Sequence, residues 1–253
     1  MKPTDRRGAL RTGAAAALAG ALATACGTEP RPAPATRHRP APAPLAPAPR
    51  RFSGQPDEIT HGPRDRPGVA LTFHGQGDPA LARRLLAQAE HAGARVTVLA
   101  VGGWLDTHPG MARRILDGGH DLGNHTQRHI DINAMTEAEA LAEIEACAGR
   151  LRRLTGSVGT WFRPSRTRNA APAVLRAARR AGYPHVLSYD VDSLDFTSPG
   201  AAAVVRNVTG QVRAGSVVSL HFGYPDTAAA LPLLLADLDR RGLSAVTTTE
   251  LLS

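Results

Sequence analysis

Lysine, cysteine and aromatic side chains are all scarce in this chain. Lys2 is the only lysine among 30 Lys and Arg. A folded domain beyond the N-terminal tail therefore has no amine for a Schiff base, and no G-x-x-x-x-G-K-[ST] phosphate loop occurs. Cys26 and Cys147 are the only cysteines, too few and too badly placed for a disulfide framework or a cysteine zinc site. Aromatic residues make up 4%, and no basic stripe is interleaved with them. The formal net charge of +8 looks like a nucleic-acid footprint only until it is divided along the chain. Before Phe52 there are nine Lys and Arg against Asp5 and Glu29, and the remainder is balanced to within one charge. The excess is a property of the tail, so no nucleic-acid partner is expected.

The tail has its own logic. Thr12 to Ala25 is an uncharged, Ala-rich run preceded by Arg6, Arg7 and Arg11, the charged-then-apolar order of an export signal, and it is too short to span a bilayer. Asp5 to Arg11 resembles a twin-arginine signal. Leu22-Ala23-Thr24-Ala25-Cys26 resembles a lipoprotein cleavage box that would leave Cys26 as a lipidated N-terminus. Residues 27–51 are rich in Pro, Ala and Arg, a composition that favours extended polyproline II and cannot bury a core. The expected organisation is an export and lipoprotein signal over 1–26, a disordered tether over 27–51 and one domain over 52–253. That domain would sit on the outer face of the cytoplasmic membrane, held only by the lipid, or be secreted. A monomer is expected.

From Phe52 onward apolar, β-rich runs alternate with Ala/Leu/Arg helical patterns. Strands are expected at 69–73, 95–101, 120–124, 160–163, 185–190, 216–222 and 244–249. Helices are expected at 79–92, 109–117, 137–154, 171–181, 200–213 and 227–241. Strict alternation argues for an α/β fold of about seven parallel strands with right-handed crossovers, in a barrel or an open sheet.

Catalytic groups in parallel α/β folds sit at the C-terminal ends of strands, and the chemically distinctive residues here cluster at those positions. His74 and Asp78 follow the first strand, His125 and His129 the third, Arg163 the fourth, Asp192 and Asp195 the fifth, and His221 the sixth. His125 and His129 stand at i and i+4, a spacing that lets two imidazoles ligate one metal from a helical turn. Thr126 occupies the place where an H-E-x-x-H protease needs its Glu. His221 closes an apolar strand and is a candidate general acid paired with a carboxylate. Cys147 lies on the apolar face of a helix and reads as core. Arg163 is either a buried carboxylate partner or a solvated loop residue.

This constellation resembles the polysaccharide deacetylase family, carbohydrate esterase family four, from Gly68 to Leu252. The H-[ST]-x-x-H metal motif is matched by His125, Thr126 and His129. Phe162-Arg163-Pro164 matches the start of the arginine motif, which then continues as Ser165-Arg166-Thr167. Asp192-Ser193-Leu194-Asp195 matches D-x-x-D, with Phe196 replacing the Trp that follows. The closing L-x-H motif keeps His221, with Ser219 in place of its leucine. The resemblance implies a distorted (β/α) barrel and a divalent metal, zinc first. It also implies removal of acetyl groups from an acetylated polysaccharide of the cell envelope or the environment.

The first motif departs from the family pattern. Where the family has T-F-D-D-G-P, the chain reads Thr72-Phe73-His74-Gly75-Gln76-Gly77-Asp78-Pro79. His74 stands at the base position and Gly75 at the third metal ligand. One assignment returns Asp78 to the metal beside His125 and His129, with His74 as base. A second gives His74, His125 and His129 to the metal, with Asp78 as base. In a third, catalysis is lost and a glycan-binding groove remains. The resemblance further implies that Arg163 and Asp195 serve the catalytic pair, that His221 protonates the leaving amine, and that Arg166, Phe196 and Leu220 contact substrate.

Overall fold

A computed structural model describes residues 47–253, so the expected signal and residues 27–46 of the expected tether lie outside the described residues. Residues 47–51 pack on the domain: the Pro47 carbonyl accepts hydrogen bonds from Ser157 Oγ and Thr160 Oγ1, and Arg50 lies over the Phe52 ring. The strands are β1 (Glu58–Ile59), β2 (Gly68–Gly75), β3 (Thr97–Ala100), β4 (Asp121–Asn124), β5 (Val186–Leu187), β6 (Val191–Asp192), β7 (Val217–His221) and β8 (Ser244–Val246). The α-helices are α1 (Pro79–His91), α2 (Gly102–Thr107), α3 (Gly110–Asp117), α4 (Glu137–Thr155), α5 (Pro172–Arg180), α6 (Ala201–Thr209), α7 (Pro225–Arg240) and α8 (Thr248–Leu251).

Every pairing between these strands is parallel. The main order is β4-β3-β2-β7-β6, and β8 pairs with the first residues of β2. Phe162 bridges Asn124 on one side and Val186 on the other, and β1 joins β5, so the strands form a distorted (β/α) barrel. The expected strand over 160–163 runs beside β4, with Thr160 N donating to the Leu122 carbonyl, Asn124 N to the Trp161 carbonyl and Arg163 N to the Asn124 carbonyl, and Phe162 is its bridging residue. Of the expected strand over 185–190 only β5 forms, Val186 and Leu187 pairing with β1, and a second short piece, β6, follows it, Val191 and Asp192 pairing with β7. The last strand ends at Val246, where Thr247 and Glu250 form a capping box that starts α8 instead.

Helix starts follow side-chain chemistry. The Asp78 carboxylate caps α1 ahead of Pro79, and Thr136 with Glu139 closes a capping box on α4. Gly156 ends α4 with φ +78°, in the left-handed region.

The alternation of side chains along the strands decides which residues reach the site. On β2, Val69, Leu71 and Phe73 join the large cluster that includes α1 and α7 residues, whereas Ala70 belongs to the cluster with Leu99, Trp161 and Val217 inside the ring. Thr72 and His74 share the face of Ala70. On β7, Val218, Leu220 and Phe222 join the helix-side cluster, leaving Val217, Ser219 and His221 on the inner face. Leu220 is therefore not a cleft residue, and the expectation that it contacts substrate is corrected: it is fully buried against the helices, and Ser219 faces the cleft.

Candidate active site

The parallel register sets His74 directly beside His221 on neighbouring strands, and their rings stack with centroids 4.2 Å apart. His125 directly follows β4. Its ring stands edge-on to that of His74, with His74 Nδ1 2.8 Å from His125 Nε2. His129 completes the group, its ring centroid 4.8 Å from that of His125. One ligand nitrogen from each of His74, His125 and His129 lies within 4.8 Å of the others.

The two motif histidines do not share a helical turn. Thr126 and His129 have φ of +67° and +54°, so the chain folds as a loop that turns both rings inward. Side chains hold that loop. Thr126 N donates to Asn124 Oδ1, His129 N donates to Thr126 Oγ1, and both the backbone N–H and the guanidinium of Arg128 donate to Glu143 on α4. Arg166, at φ +57°, is also in the left-handed region and lines the same cleft, the placement seen where local strain serves a site.

Hydrogen-bond chemistry assigns the tautomers. The Arg163 carbonyl can only accept, so His125 Nδ1, 3.0 Å away, carries the proton and leaves a lone pair on Nε2. The Arg163 guanidinium can only donate, so His74 Nε2, 3.4 Å from it, accepts, and Nδ1–H points at His125 Nε2. Ser219 Oγ lies 3.1 Å from the same His74 Nε2. Burial, reinforced by the neighbouring imidazoles and Arg163, holds the pKa of His74 well below the ordinary value. Burial, with His129 close by, does the same for His125. Burial brings His129 down to about 4. All three are neutral at pH 7, the state in which imidazole ligates a metal.

Arg163 is fully buried with no carboxylate partner. Its nitrogens donate to the Leu187 and Ser188 carbonyls, Thr72 Oγ1 and His74, and its guanidinium lies 5.4 Å from the centre of the Tyr189 ring. Burial lowers its pKa to about 10, which leaves it charged. On the opposite wall Asp195 is fully buried and anchors His221. Its Oδ1 is 2.7 Å from His221 Nδ1, and its Oδ2 accepts from His221 N and from Thr227 Oγ1. His221 Nε2 is thereby left for the cleft.

The cleft encloses about 480 Å³, with Arg166, Arg168, Tyr189, Phe196, Ser219 and Tyr224 around the histidines. Phe196 is 45% exposed and meets His221 edge-on, 5.6 Å between centroids. Asp78 is not part of this group. Its side chain is exposed and accepts from Ala80 N at the start of α1, so the expectation that Asp78 stands beside His125 and His129 is corrected: His74 stands there instead. Neither can the vacated second position of the motif be refilled freely. A Cβ on Gly75 would come 2.9 Å from Val98 Cγ1 and 3.0 Å from Ala100 Cα. A larger groove of about 760 Å³ between α1, α7 and β8 lies beside Ala94 and Ser244, at strand starts, and holds none of these residues.

A sequence profile for polysaccharide deacetylase matches residues 61–186. The chain is 30% identical over 180 residues to a chitooligosaccharide deacetylase of Rhizobium leguminosarum bv. phaseoli, covering 65% of this chain and 74% of that protein. The chain belongs to the polysaccharide deacetylase family. It is also 28% identical over 194 residues to a peptidoglycan-N-acetylglucosamine deacetylase of Bacillus cereus, covering 75% of this chain and 90% of that one. The structure of a carbohydrate esterase family four pseudoenzyme from Bacillus anthracis superposes with a TM-score of 0.74 at 21% identity, over 79% of this chain and 70% of that one, and shows the shared fold. The family is one of C–N hydrolases.

Sequence reasoning passed over Thr72, Tyr189, Tyr224 and Thr227, and gave Ser219 no role beyond replacing a motif leucine. A signal for two of them was present: Thr72 and Ser219 alternate with His74 and His221 on strands that are otherwise apolar, which marks them as polar residues of the inner face.

Proposed function

We propose that the protein is a metal-dependent hydrolase that removes acetyl groups, by cleavage of the amide C–N bond, from a cell-envelope or extracellular glycan. The observation that carries this reading is the meeting of the His74, His125 and His129 nitrogens beside the His221–Asp195 pair in one cleft. Three neutral imidazoles with no carboxylate form a set suited to zinc rather than to magnesium or calcium, and an ion held between His74 Nδ1 and His125 Nε2 would require the His74 proton to move from Nδ1 to Nε2, where Ser219 Oγ can accept its hydrogen bond. When bound there, the ion would supply Lewis acidity toward the acetyl carbonyl and make water more acidic.

The protein's own groups do the rest. With His74 in the ligating set, His221 is the proton carrier. Its Nδ1–H is fixed on Asp195, so Nε2 takes a proton from the water that attacks the acetyl carbon. The same Nε2 then returns that proton to the nitrogen as the C–N bond breaks, giving acetate and a free amine. Phe196 and Tyr224 wall the sugar side of the cleft. The direct test is mass spectrometry of N-acetylated chitin and peptidoglycan oligomers after incubation with the zinc-loaded full chain. Loss of acetyl groups supports the reading. Unchanged oligomers from both glycans contradict it.

A second reading, a glycan-binding protein without turnover, is favoured by one observation. No first-motif carboxylate reaches the cleft, and the close packing around Gly75 opposes putting one back. Oligomers that bind but are never shortened by an acetyl group would establish it.

We also propose that the domain is exported and tethered by lipid on Cys26, from Arg6, Arg7 and the segment ending in Cys26. Replacement of Cys26 by Ser should release the protein from membranes. A wild-type chain that already fractionates as soluble would overturn the anchor.

A further inference from the structure

Two guanidiniums line the cleft and a third lies buried behind His74, and none has an acidic partner among the described residues. Arg163 is the buried one, 3.4 Å from His74 Nε2. Arg166 and Arg168 line the mouth of the cleft. Arg168 is held in place by the Tyr189 and Asp190 carbonyls, and its guanidinium lies 5.1 Å from the centre of the Tyr189 ring, the ring that Arg163 approaches at 5.4 Å. The Tyr189 ring is thus shared by one buried and one exposed guanidinium, an arrangement that positions Arg168 at little cost in side-chain freedom. Elsewhere on the molecule Arg64, Arg95, Arg114, Arg150 and Arg176 each close an ion pair.

The opposing charge near the cleft is small and already committed. Among the described residues Asp192 is the only carboxylate lining it, and its oxygens accept from Leu194 N and Tyr189 Oη. Asp195 lies beneath His221 and is satisfied by it and by Thr227. The cleft therefore carries a net positive charge, with two forked donor groups at the mouth suited to a carboxylate.

We infer that the cleft selects an anionic glycan: an N-acetylated oligosaccharide with a carboxylate on the acetylated sugar or on its immediate neighbour, read by Arg166 and Arg168. This rests on the deacetylase reading for the acetyl group but makes a separate claim about charge. The carboxylate belongs to a lactyl ether, as in N-acetylmuramic acid, or to a uronic acid, and the two differ in where it hangs from the sugar ring.

The test compares pairs of probes that differ only in charge. The first pair is the disaccharide of N-acetylglucosamine and N-acetylmuramic acid and its lactyl methyl ester. The second is a hyaluronan tetrasaccharide and its methyl ester. Binding to the zinc-loaded full chain is measured by calorimetric titration at low and at physiological salt. The expected result is that one acid binds at least about tenfold more tightly than its ester and that salt weakens only the acid. The pair that shows the gap names the source of the carboxylate. In a folded Arg166→Gln, Arg168→Gln double variant the gap should close. Equal affinity of acid and ester in both pairs for the wild type overturns the inference without reference to any variant. A gap that persists in the double variant overturns the assignment to these arginines. Acetate released from acid and ester with equal efficiency would defeat the charge claim and leave deacetylation standing. A binding gap with no acetate from any probe would do the reverse.

Discussion

His74 Nδ1 lies 2.8 Å from His125 Nε2, with the two rings at 88° to each other. The contact brings two neutral imidazoles together in a position where the family pattern has a carboxylate. It also changes the role of His74. His74 stands with His125 and His129 in one cluster of nitrogens, the placement that the proposed zinc site needs, whereas Asp78 is bound into the cap of α1.

His74→Ala, His125→Ala and His129→Ala are each expected to weaken zinc binding by at least about 100-fold, the loss of a ligand exceeding the roughly 10–100-fold typical of an outer-shell partner. Asp78→Ala should leave affinity unchanged and cost about 1 kcal/mol through the lost helix cap. Competition against a chromophoric chelator and a denaturant titration measure the two quantities. A metal loss in Asp78→Ala equal to that in His74→Ala would restore the discarded assignment.

Gly75→Asp, which rebuilds the second motif carboxylate, should lower stability by about 1–3 kcal/mol because its Cβ would press on Val98 and on the β3 backbone at Ala100. The shift in denaturant midpoint reads this directly. A variant as stable as the wild type would mean that β3 yields without penalty.

Leu220 and Ser219 separate core from cleft. Leu220→Ala removes a fully buried side chain and is expected to cost about 2–5 kcal/mol. Ser219→Ala should cost far less stability while altering the surroundings of His74 Nε2, visible as a shifted imidazole resonance. The reverse ranking of the two stability losses would contradict the assigned faces of β7.

The barrel and most of the site were legible in the sequence because the signals were local and periodic. Parallel strands buried on both faces read as apolar runs, and the odd histidines at their ends stood out against that background. Thr160 to Arg163 was legible for the same reason: the segment hydrogen-bonds along β4, from Thr160 N to the Leu122 carbonyl and from Arg163 N to the Asn124 carbonyl, although it is too short for more than the one bridging residue Phe162. Asp78 misled because an Asp before Pro is equally a helix cap and a candidate ligand, and only tertiary geometry separates the two. The partnerless burial of Arg163 was invisible from its position beside Pro164, since it depends on Thr72, Leu187 and Ser188 arriving from other strands.

Metal-free protein should lose stability on acidification below about pH 6.5. There the unfolded histidines take up protons that the folded ones refuse, so the unfolded state binds more protons and stability falls with pH. The loss runs at about 1.4 kcal/mol per pH unit for each such group, and for His129 it continues to its folded value of about 4. Thermal melts in chelator should be flat from pH 7 to 8.5 and fall from pH 6.5 to 5, with a shallower fall in His125→Asn. A melting temperature independent of pH over the lower range would show that these histidines titrate normally.

Acetate release at matched metal content, wild type against His221→Ala, tests the central claim most directly. The account predicts one zinc per chain in both proteins, acetate released from N-acetylated glycan by the wild type, and a loss of about 10²–10⁴-fold in the variant, the scale of a positioned acid–base group. A wild type that holds one zinc per chain yet releases no acetate, or a variant that matches its rate, would contradict it.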